Sequence, residues 1–181
     1  LFYWRYNPAE SNPVADKNNA ADGDVLIAWA LLKADARWHD KRYGAASDAI
    51  TKALVAHSVI RYAGYRVMLP GVQGFKLDGE VVLNPSYFVF PAWQAFAGRS
   101  HLPVWRDLIK DGKRLLGKMG SGKADLPADW VSLASDGKLE PAKGWPPRMS
   151  YDAIRIPLYL AWSDKQSPLL TPWKAWFGQF P

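Results

Sequence analysis

The chain has 181 residues, 49% of them hydrophobic, and no cysteine, which predicts one domain over residues 1–181 with a substantial core and excludes disulfide and thiolate chemistry within it. No apolar run reaches the roughly 18 residues that a transmembrane helix needs, so we expect no membrane insertion. The net charge of +6 comes from Lys and Arg residues spread between acidic ones, a pattern that argues against nucleic-acid binding.

Tryptophan is unusually frequent, with 10 residues in the chain. Flat indole rings suit the apolar C–H faces of sugar rings, and they also fill protein cores. The composition therefore leaves two interpretations open, carbohydrate binding and ordinary core packing.

The first part of the chain predicts two helices. An aromatic run at 1–6 and a loop rich in Asn, Pro and Ser precede a helix at 22–38, whose apolar residues, Trp38 among them, recur at three- and four-residue steps. A second helix is predicted at 43–60, and His57 on its apolar stripe is expected to be buried.

The rest of the chain predicts a mainly helical class with irregular insertions. Glycines divide short apolar pieces between 64 and 84, which predicts a long loop with a small hairpin, and the Gly-, Lys- and Pro-rich stretch at 117–147 is predicted to be irregular. Further helices are predicted at 85–97, 103–118, 151–161 and 168–177. We therefore predict an all-α fold of antiparallel helix pairs with long loops.

Two carboxylates, Asp22 and Asp24, open the first predicted helix. Acidic residues at this position cap free backbone N–H groups and complement the positive end of the helix dipole. Alternatively, one of them points into a polar cleft, where it holds a sugar hydroxyl or stabilises positive charge at the anomeric carbon.

A second acidic motif combines Asp152 with Arg155, three residues later on one helical face. A capping Asp with a local ion pair would explain this spacing. The alternative makes Asp152 a general base that Arg155 keeps ionised.

The third motif is the turn Asn84-Pro85-Ser86-Tyr87. Helix initiation accounts for its first three residues. The hydroxyl of Tyr87 could also point into a cleft and orient a water molecule or a sugar.

Taken together, these segments resemble family 8 glycoside hydrolases. The family signature appears as Ala20-Ala21-Asp22-Gly23-Asp24, followed by Ile27-Ala28, Ala34 and Trp38. The Asn-Pro-Ser-Tyr turn and the Ser-Tyr-Asp-Ala-Ile-Arg segment are also similar to the family, particularly to cellulases encoded with bacterial cellulose synthase. One position departs from the pattern, because the family usually has Ser or Thr where Ala21 stands.

The resemblance implies an (α/α)6 barrel, of which this chain holds only a portion, and an inverting endo-β-1,4-glucanase that needs no metal or organic cofactor. By the same resemblance, Asp152 is the base and Asp22 binds the distorted sugar beside the scissile bond. The residues expected to assist them or to contact substrate are Tyr87, Arg155, Trp4 and Tyr151.

Several expectations concern what lies beyond the chain. The catalytic acid of the family is a Glu upstream of the Asp-Gly-Asp motif, and because the surroundings of Glu10 do not match, we expect the acid outside these residues. The resemblance implies a periplasmic or secreted protein acting on β-1,4-glucan, with a functional association with cellulose synthase. A related xylanase or chitosanase, and a glucan-binding module without catalysis, remain as alternatives.

Overall fold

The computed structural model describes residues 1–179. The helices are α1 (Ala21–Trp38), α2 (Lys41–His57), α3 (Phe90–Ser100), α4 (Pro103–Leu116), α5 (Ile156–Ser163) and α6 (Thr171–Phe177). The strands are β1 (Val59–Tyr62), β2 (Tyr65–Met68), β3 (Lys76–Leu77), β4 (Glu80–Leu83), β5 (Val131–Ala134) and β6 (Leu139–Pro141). Three short 3-10 turns occupy Pro85–Tyr87, Ala153–Arg155 and Pro168–Leu170.

The helices pack as pairs around one hydrophobic cluster. Helix α1 lies against α2, α3 against α4, and α3 also contacts α5. A hydrogen bond from Ser47 Oγ to the carbonyl oxygen of Ala28, 2.7 Å long, ties α1 to α2. The largest fully buried rings belong to Trp93, Trp105, Phe90 and Phe96, and burial of each such side chain contributes on the order of 1.5–3 kcal/mol.

Two antiparallel sheets replace the single predicted hairpin. Strands β1 and β2 form one hairpin, and β3-β4-β5-β6 form a second, four-stranded sheet. Its last two strands lie in the 117–147 stretch predicted to be irregular, so that prediction was wrong there. Neither strand exceeds four residues, which is too short for an alternating pattern to stand out.

Prolines set the start of the later helices. The predicted helix at 85–97 is divided into a 3-10 turn and α3, which has Pro91 in its first turn. The segment at 151–161 is divided in the same way, with Pro157 at the start of α5. Because proline has no N–H to donate and its ring blocks a preceding helical turn, a helix accepts it only at its beginning.

Part of the predicted core is exposed. Trp38 has 65% of its surface accessible and Ile27 is also exposed, although both lie on the apolar side of α1. His57, predicted to be buried, is exposed at the end of α2. The apolar stripe of α1 is wider than the surface that its neighbours within residues 1–179 cover. Within residues 1–179, none of the helices has both the length and the apolar character required to cross a membrane.

Candidate active site

Arg155 joins two carboxylates that lie far apart in the sequence. Its Nη1 donates to Asp22 Oδ2 at 3.2 Å, and its Nη2 donates to Asp152 Oδ1 at 2.6 Å. All three side chains are partly buried. The guanidinium thus holds one carboxylate on each terminal nitrogen through a charge-assisted hydrogen bond, and it bridges the two acidic groups.

Local structure explains half of this arrangement. Asp152 immediately precedes the 3-10 turn Ala153–Arg155, and the backbone N–H of Arg155 donates to Asp152 O at 3.0 Å. In such a turn, residues three apart lie on the same side. The predicted pairing of Asp152 with Arg155 is therefore confirmed. The contact with Asp22, in the first turn of α1, arises only from tertiary packing.

Asn84 provides a second hydrogen bond to Asp152. Its Oδ1 accepts from Ser86 N at 3.0 Å and from Ser86 Oγ at 2.7 Å, while its Nδ2 donates to Asp152 Oδ2 at 3.1 Å. Ser86 Oγ in turn accepts from Arg155 Nη2 at 2.9 Å. Arg155 therefore holds one oxygen of Asp152 and Asn84 holds the other.

Sequence reasoning assigned Asn84 and Ser86 to helix initiation alone. Both are almost completely buried and belong to the Arg155 hydrogen-bond network. A cap uses only the amide oxygen of an asparagine, which leaves two N–H donors that need a partner when the residue is buried. The unused N–H donors of Asn84 were therefore the feature of the sequence that could have indicated its hydrogen bond to another residue.

Tyr87 lies beside the two carboxylates and Arg155. Burial raises the pKa of its hydroxyl well above the usual range, and the negative charges of Asp22 and Asp152 raise that pKa further. The Arg155 guanidinium lies 5.8 Å from the centre of the tyrosine ring and acts in the opposite direction. Tyr87 therefore stays a neutral hydroxyl, able to donate a hydrogen bond at any physiological pH.

The second carboxylate of the Asp-Gly-Asp motif has a structural function. Asp24 is fully buried, and its two oxygens accept from Phe2 N at 2.8 Å and from Asn19 Nδ2 at 2.7 Å. Asp22 Oδ1 accepts from the backbone N–H of Gly23 at 2.8 Å, in the first turn of α1, and Asp22 Oδ2 accepts from Arg155. Ala20, at the N-cap position, makes no side-chain cap hydrogen bond. Capping therefore accounts for one oxygen of Asp22, and it does not account for Asp24.

Trp4 and Tyr151 lie outside the hydrogen-bonded network. Trp4 is 54% exposed, and its Nε1 donates to Asp16 Oδ2 at 2.8 Å. Tyr151 is 93% exposed. Within the described part of the chain, neither residue makes a hydrogen bond to Asp22, Asp152 or Arg155. No group of three or more His, Asp or Glu side chains among these residues is arranged to hold a metal ion.

Comparisons with known proteins agree on one family. The family model for glycosyl hydrolases family 8 matches residues 1–177. An endoglucanase of Cellulomonas uda is 63% identical over 181 residues, which is all of this chain and 50% of the relative. A probable endoglucanase of Novacetimonas hansenii is 40% identical over 169 residues. The chain thus spans about half the length of the curated relatives it matches.

Solved structures give the same result for the fold. A family 8 endo-β-1,4-glucanase from an Achatina fulica gut metagenomic library superimposes with a TM-score of 0.98 at 67% identity, covering all of this chain and 57% of that protein. An endoglucanase of Acetobacter xylinum gives a TM-score of 0.96 at 38% identity, covering 99% of this chain and 57% of that one. The described helices therefore form a portion of the predicted (α/α)6 barrel, and the chain belongs to glycosyl hydrolase family 8.

Proposed function

We propose that the full-length protein is an inverting endo-β-1,4-glucanase that hydrolyses cellulose and related β-glucans. The observation that carries the proposal is the position of Asp152, whose two carboxylate oxygens are held by Arg155 and Asn84 next to Asp22. The endoglucanase of Cellulomonas uda, 63% identical, supports the reaction class.

In this proposal Asp152 is the general base. It takes a proton from a water molecule, whose oxygen bonds to the anomeric carbon on the face opposite the glycosidic oxygen. The bond from that carbon to the leaving sugar breaks, and a carboxylic acid on the other side protonates the departing oxygen. Inverting enzymes hold the two carboxyl groups about 6.5–9.5 Å apart to leave room for the water. We place the acid outside residues 1–181.

Asp22 and Tyr87 act on the sugar in the same scheme. The charge of Asp22 stabilises the positive charge that develops at the anomeric carbon, and its oxygens accept hydrogen bonds from sugar hydroxyls. Burial and the neighbouring carboxylates raise the pKa of Tyr87, so its hydroxyl keeps its proton. In this scheme that hydroxyl donates a hydrogen bond to the sugar or to the attacking water. Arg155 holds both carboxylates and prevents them from moving apart.

Exposed aromatic residues supply the binding surface for the glucan chain. We assign Trp4 to a stacking platform for one glucose ring, since a half-exposed indole offers a free face to the apolar side of a sugar. We assign Tyr151, next to Asp152 in the sequence, to a further substrate contact.

The proposed cellular location of the enzyme rests on where its substrate lies. Cellulose is a polymer found outside the cytoplasm, so we propose a periplasmic or secreted enzyme. Because its motifs resemble those of cellulases encoded with bacterial cellulose synthase, we also propose that it assists that synthase. Cell fractionation tests this location. Activity confined to the cytoplasmic fraction would contradict it.

One comparison tests the reaction and its substrate. The full-length gene product, its Asp152→Asn variant and an Asp164→Asn control are assayed on carboxymethylcellulose, xylan and chitosan; Asp164 is exposed just after α5. Turnover of carboxymethylcellulose is expected to fall about 10²- to 10⁴-fold in Asp152→Asn alone. Equal turnover would remove Asp152 as the base. Faster turnover of xylan or chitosan by the parent protein would replace cellulose as the assigned substrate. Binding of glucan without turnover in the parent would indicate a glucan-binding module.

A further inference from the structure

A buried aspartate outside the Arg155 network binds the chain on both sides of Asp152. Asp129 Oδ1 accepts from the backbone N–H of Ser150 and of Ala153, both at 2.8 Å. Its Oδ2 accepts from the Ser150 hydroxyl. The Asp129 backbone N–H also donates to Arg148 O at 2.9 Å. One residue thus holds the segment that contains Asp152 at three positions.

This carboxylate takes the place of a helix cap. The 3-10 turn Ala153–Arg155 has no capping hydrogen bond from Asp152, whose side chain is engaged by Arg155 and Asn84. The free N–H at the start of the turn therefore needs another acceptor. Asp129 supplies it, which leaves Asp152 available to the active site.

The second sheet explains why Asp129 lies at this place. Strand β4 pairs with β5 so that Leu83 lies opposite Val131. Asn84 follows Leu83 and Asp129 precedes Val131 by two residues, so both leave the sheet at the same end. One binds the carboxylate of Asp152, and the other binds the backbone around it.

Stacked rings hold the next residue, Trp130. Its ring lies parallel to Phe75 at 5.8 Å and nearly parallel to Trp145 at 5.1 Å between centroids. Its edge contacts Tyr87 at 6.2 Å. The backbone that carries the Asp129 side chain is therefore tightly packed.

We propose that Asp129 is a positioning residue for the hydrolytic reaction, acting through the backbone of Asp152. The inference rests on the proposed function, because the base must be held in place for water to attack. Replacement by asparagine removes the negative charge, so the hydrogen bonds from the Ser150 and Ala153 N–H groups become neutral and weaker. The Ser150 hydroxyl, which donates to Oδ2 of Asp129, must then accept from an NH2 group instead. The turn shifts, and a displacement of about 1 Å at a reacting group can lower the rate by about 10²-fold.

The test compares Asp129→Asn with Asp111→Asn in the full-length gene product. Asp111 is a matched control, since both residues are 8% exposed, and Asp111 also accepts from a distant backbone N–H, that of Arg66 at 2.8 Å. None of its hydrogen-bond partners within residues 1–179 belongs to the Arg155 network. Melting temperature, kcat and KM on a soluble cello-oligosaccharide are measured for each protein.

Both variants are expected to lower the melting temperature, but only Asp129→Asn is expected to lower kcat, by about 10- to 100-fold, with KM changed less than about threefold. Equal kcat values for the two variants would overturn the inference. A parent protein without turnover would refute the proposed function first, and the inference with it.

Ser150→Ala tests the same idea with a milder change. It removes one donor to Asp129, and Ser100→Ala, which removes a hydroxyl bonded to Phe96 O, is its control. We expect a smaller loss of kcat for Ser150→Ala and none for Ser100→Ala. In a folded Asp129→Asn background, Ser150→Ala should lower kcat less than it does alone, because the shared contact is already weakened. A parental kcat for Ser150→Ala would overturn the inference even if Asp129→Asn does not fold.

Discussion

Asp22 and Asp152 bind the two terminal nitrogens of the same guanidinium, that of Arg155, although one lies in the first turn of α1 and the other beside α5. Bringing two carboxylates together costs electrostatic energy unless a cation lies between them. Arg155 offsets that repulsion and fixes both groups in one arrangement.

We expect Arg155→Lys to lower both stability and turnover. A lysine ammonium has no planar fork and cannot hold both carboxylates in the same geometry. The expected loss is about 1–3 kcal/mol in the free energy of unfolding and about 10²-fold in kcat. Chemical denaturation and steady-state kinetics on the full-length protein measure the two effects.

Arg99→Lys is the control for this prediction. Arg99 bridges Asp35 at 3.3 Å and Asp48 at 2.8 Å, and 35% of its side chain is exposed against 31% for Arg155. A similar loss of stability with parental kcat is expected for it. If both lysine variants lost turnover equally, the effect would be one of stability alone.

The two aspartates of the Asp-Gly-Asp motif should respond differently to the same substitution. Asp24→Asn places an NH2 group against the Phe2 N–H or the Asn19 amide, which is expected to cost about 1–3 kcal/mol. Released from Asp24, the segment that precedes α1 should be cut more rapidly by trypsin after Arg5 and Lys17, both exposed.

Asp22→Asn should leave that segment protected while it lowers turnover. Timed digestion followed by mass spectrometry distinguishes the two variants. Equal protection of the segment in both proteins would show that Asp24 does not anchor it.

Trp4→Ala is expected to weaken glucan binding without changing the chemical step. Loss of one stacking contact of about 1–1.4 kcal/mol raises KM about five- to tenfold and leaves kcat nearly unchanged. Trp38→Ala is the control, because within residues 1–179 Trp38 is even more exposed, 65% against 54%, and it lies at the far end of α1. An equal rise in KM for both variants would remove Trp4 as a specific platform.

Tyr87 should make the protein more sensitive to alkali. Its pKa is raised in the folded state, mainly by burial and also by the neighbouring carboxylates. The folded protein therefore retains a proton that the unfolded chain releases above about pH 10. The contribution is fully present below that pH and is lost as the pH rises toward the folded-state pKa.

Unfolding free energies measured between pH 9 and 11.5 test this expectation. The unfolding free energy of the parent protein should fall with pH more steeply than that of Tyr87→Phe. The difference in slope should correspond to at most about one additional proton bound by the folded state. The pKa of Tyr159 is also raised by burial, so the variant should keep part of the slope. Parallel curves for the two proteins would contradict the assignment.

Some features of the site could be predicted from neighbouring residues alone. The pairing of Asp152 with Arg155 depends on a spacing of three within one turn. Pro91 and Pro157 were signals of helix starts that the predicted helices at 85–97 and 151–161 did not use. Asn84 was recognised as a cap, but its donor to Asp152 depends on how the second sheet places the two segments. Asp129 belongs to no recognisable motif, and its contacts with Ser150 and Ala153 also depend on how the second sheet places distant segments, so the sequence analysis missed it.

The sequence by itself determined the helical class, the family signature around Asp22 and the local partnership of Asp152 with Arg155, because each depends on residues a few positions apart, where backbone geometry sets the contact. Only the tertiary structure decided which carboxylate of the Asp-Gly-Asp motif faces Arg155, how the segment before β5 brings Asp129 to the backbone on both sides of Asp152, and how the second sheet brings Asn84 to the Asp152 carboxylate. Those outcomes depend on which distant surfaces pack together. Burial and hydrogen bonding across the whole chain set that choice, and no short stretch of sequence encodes it.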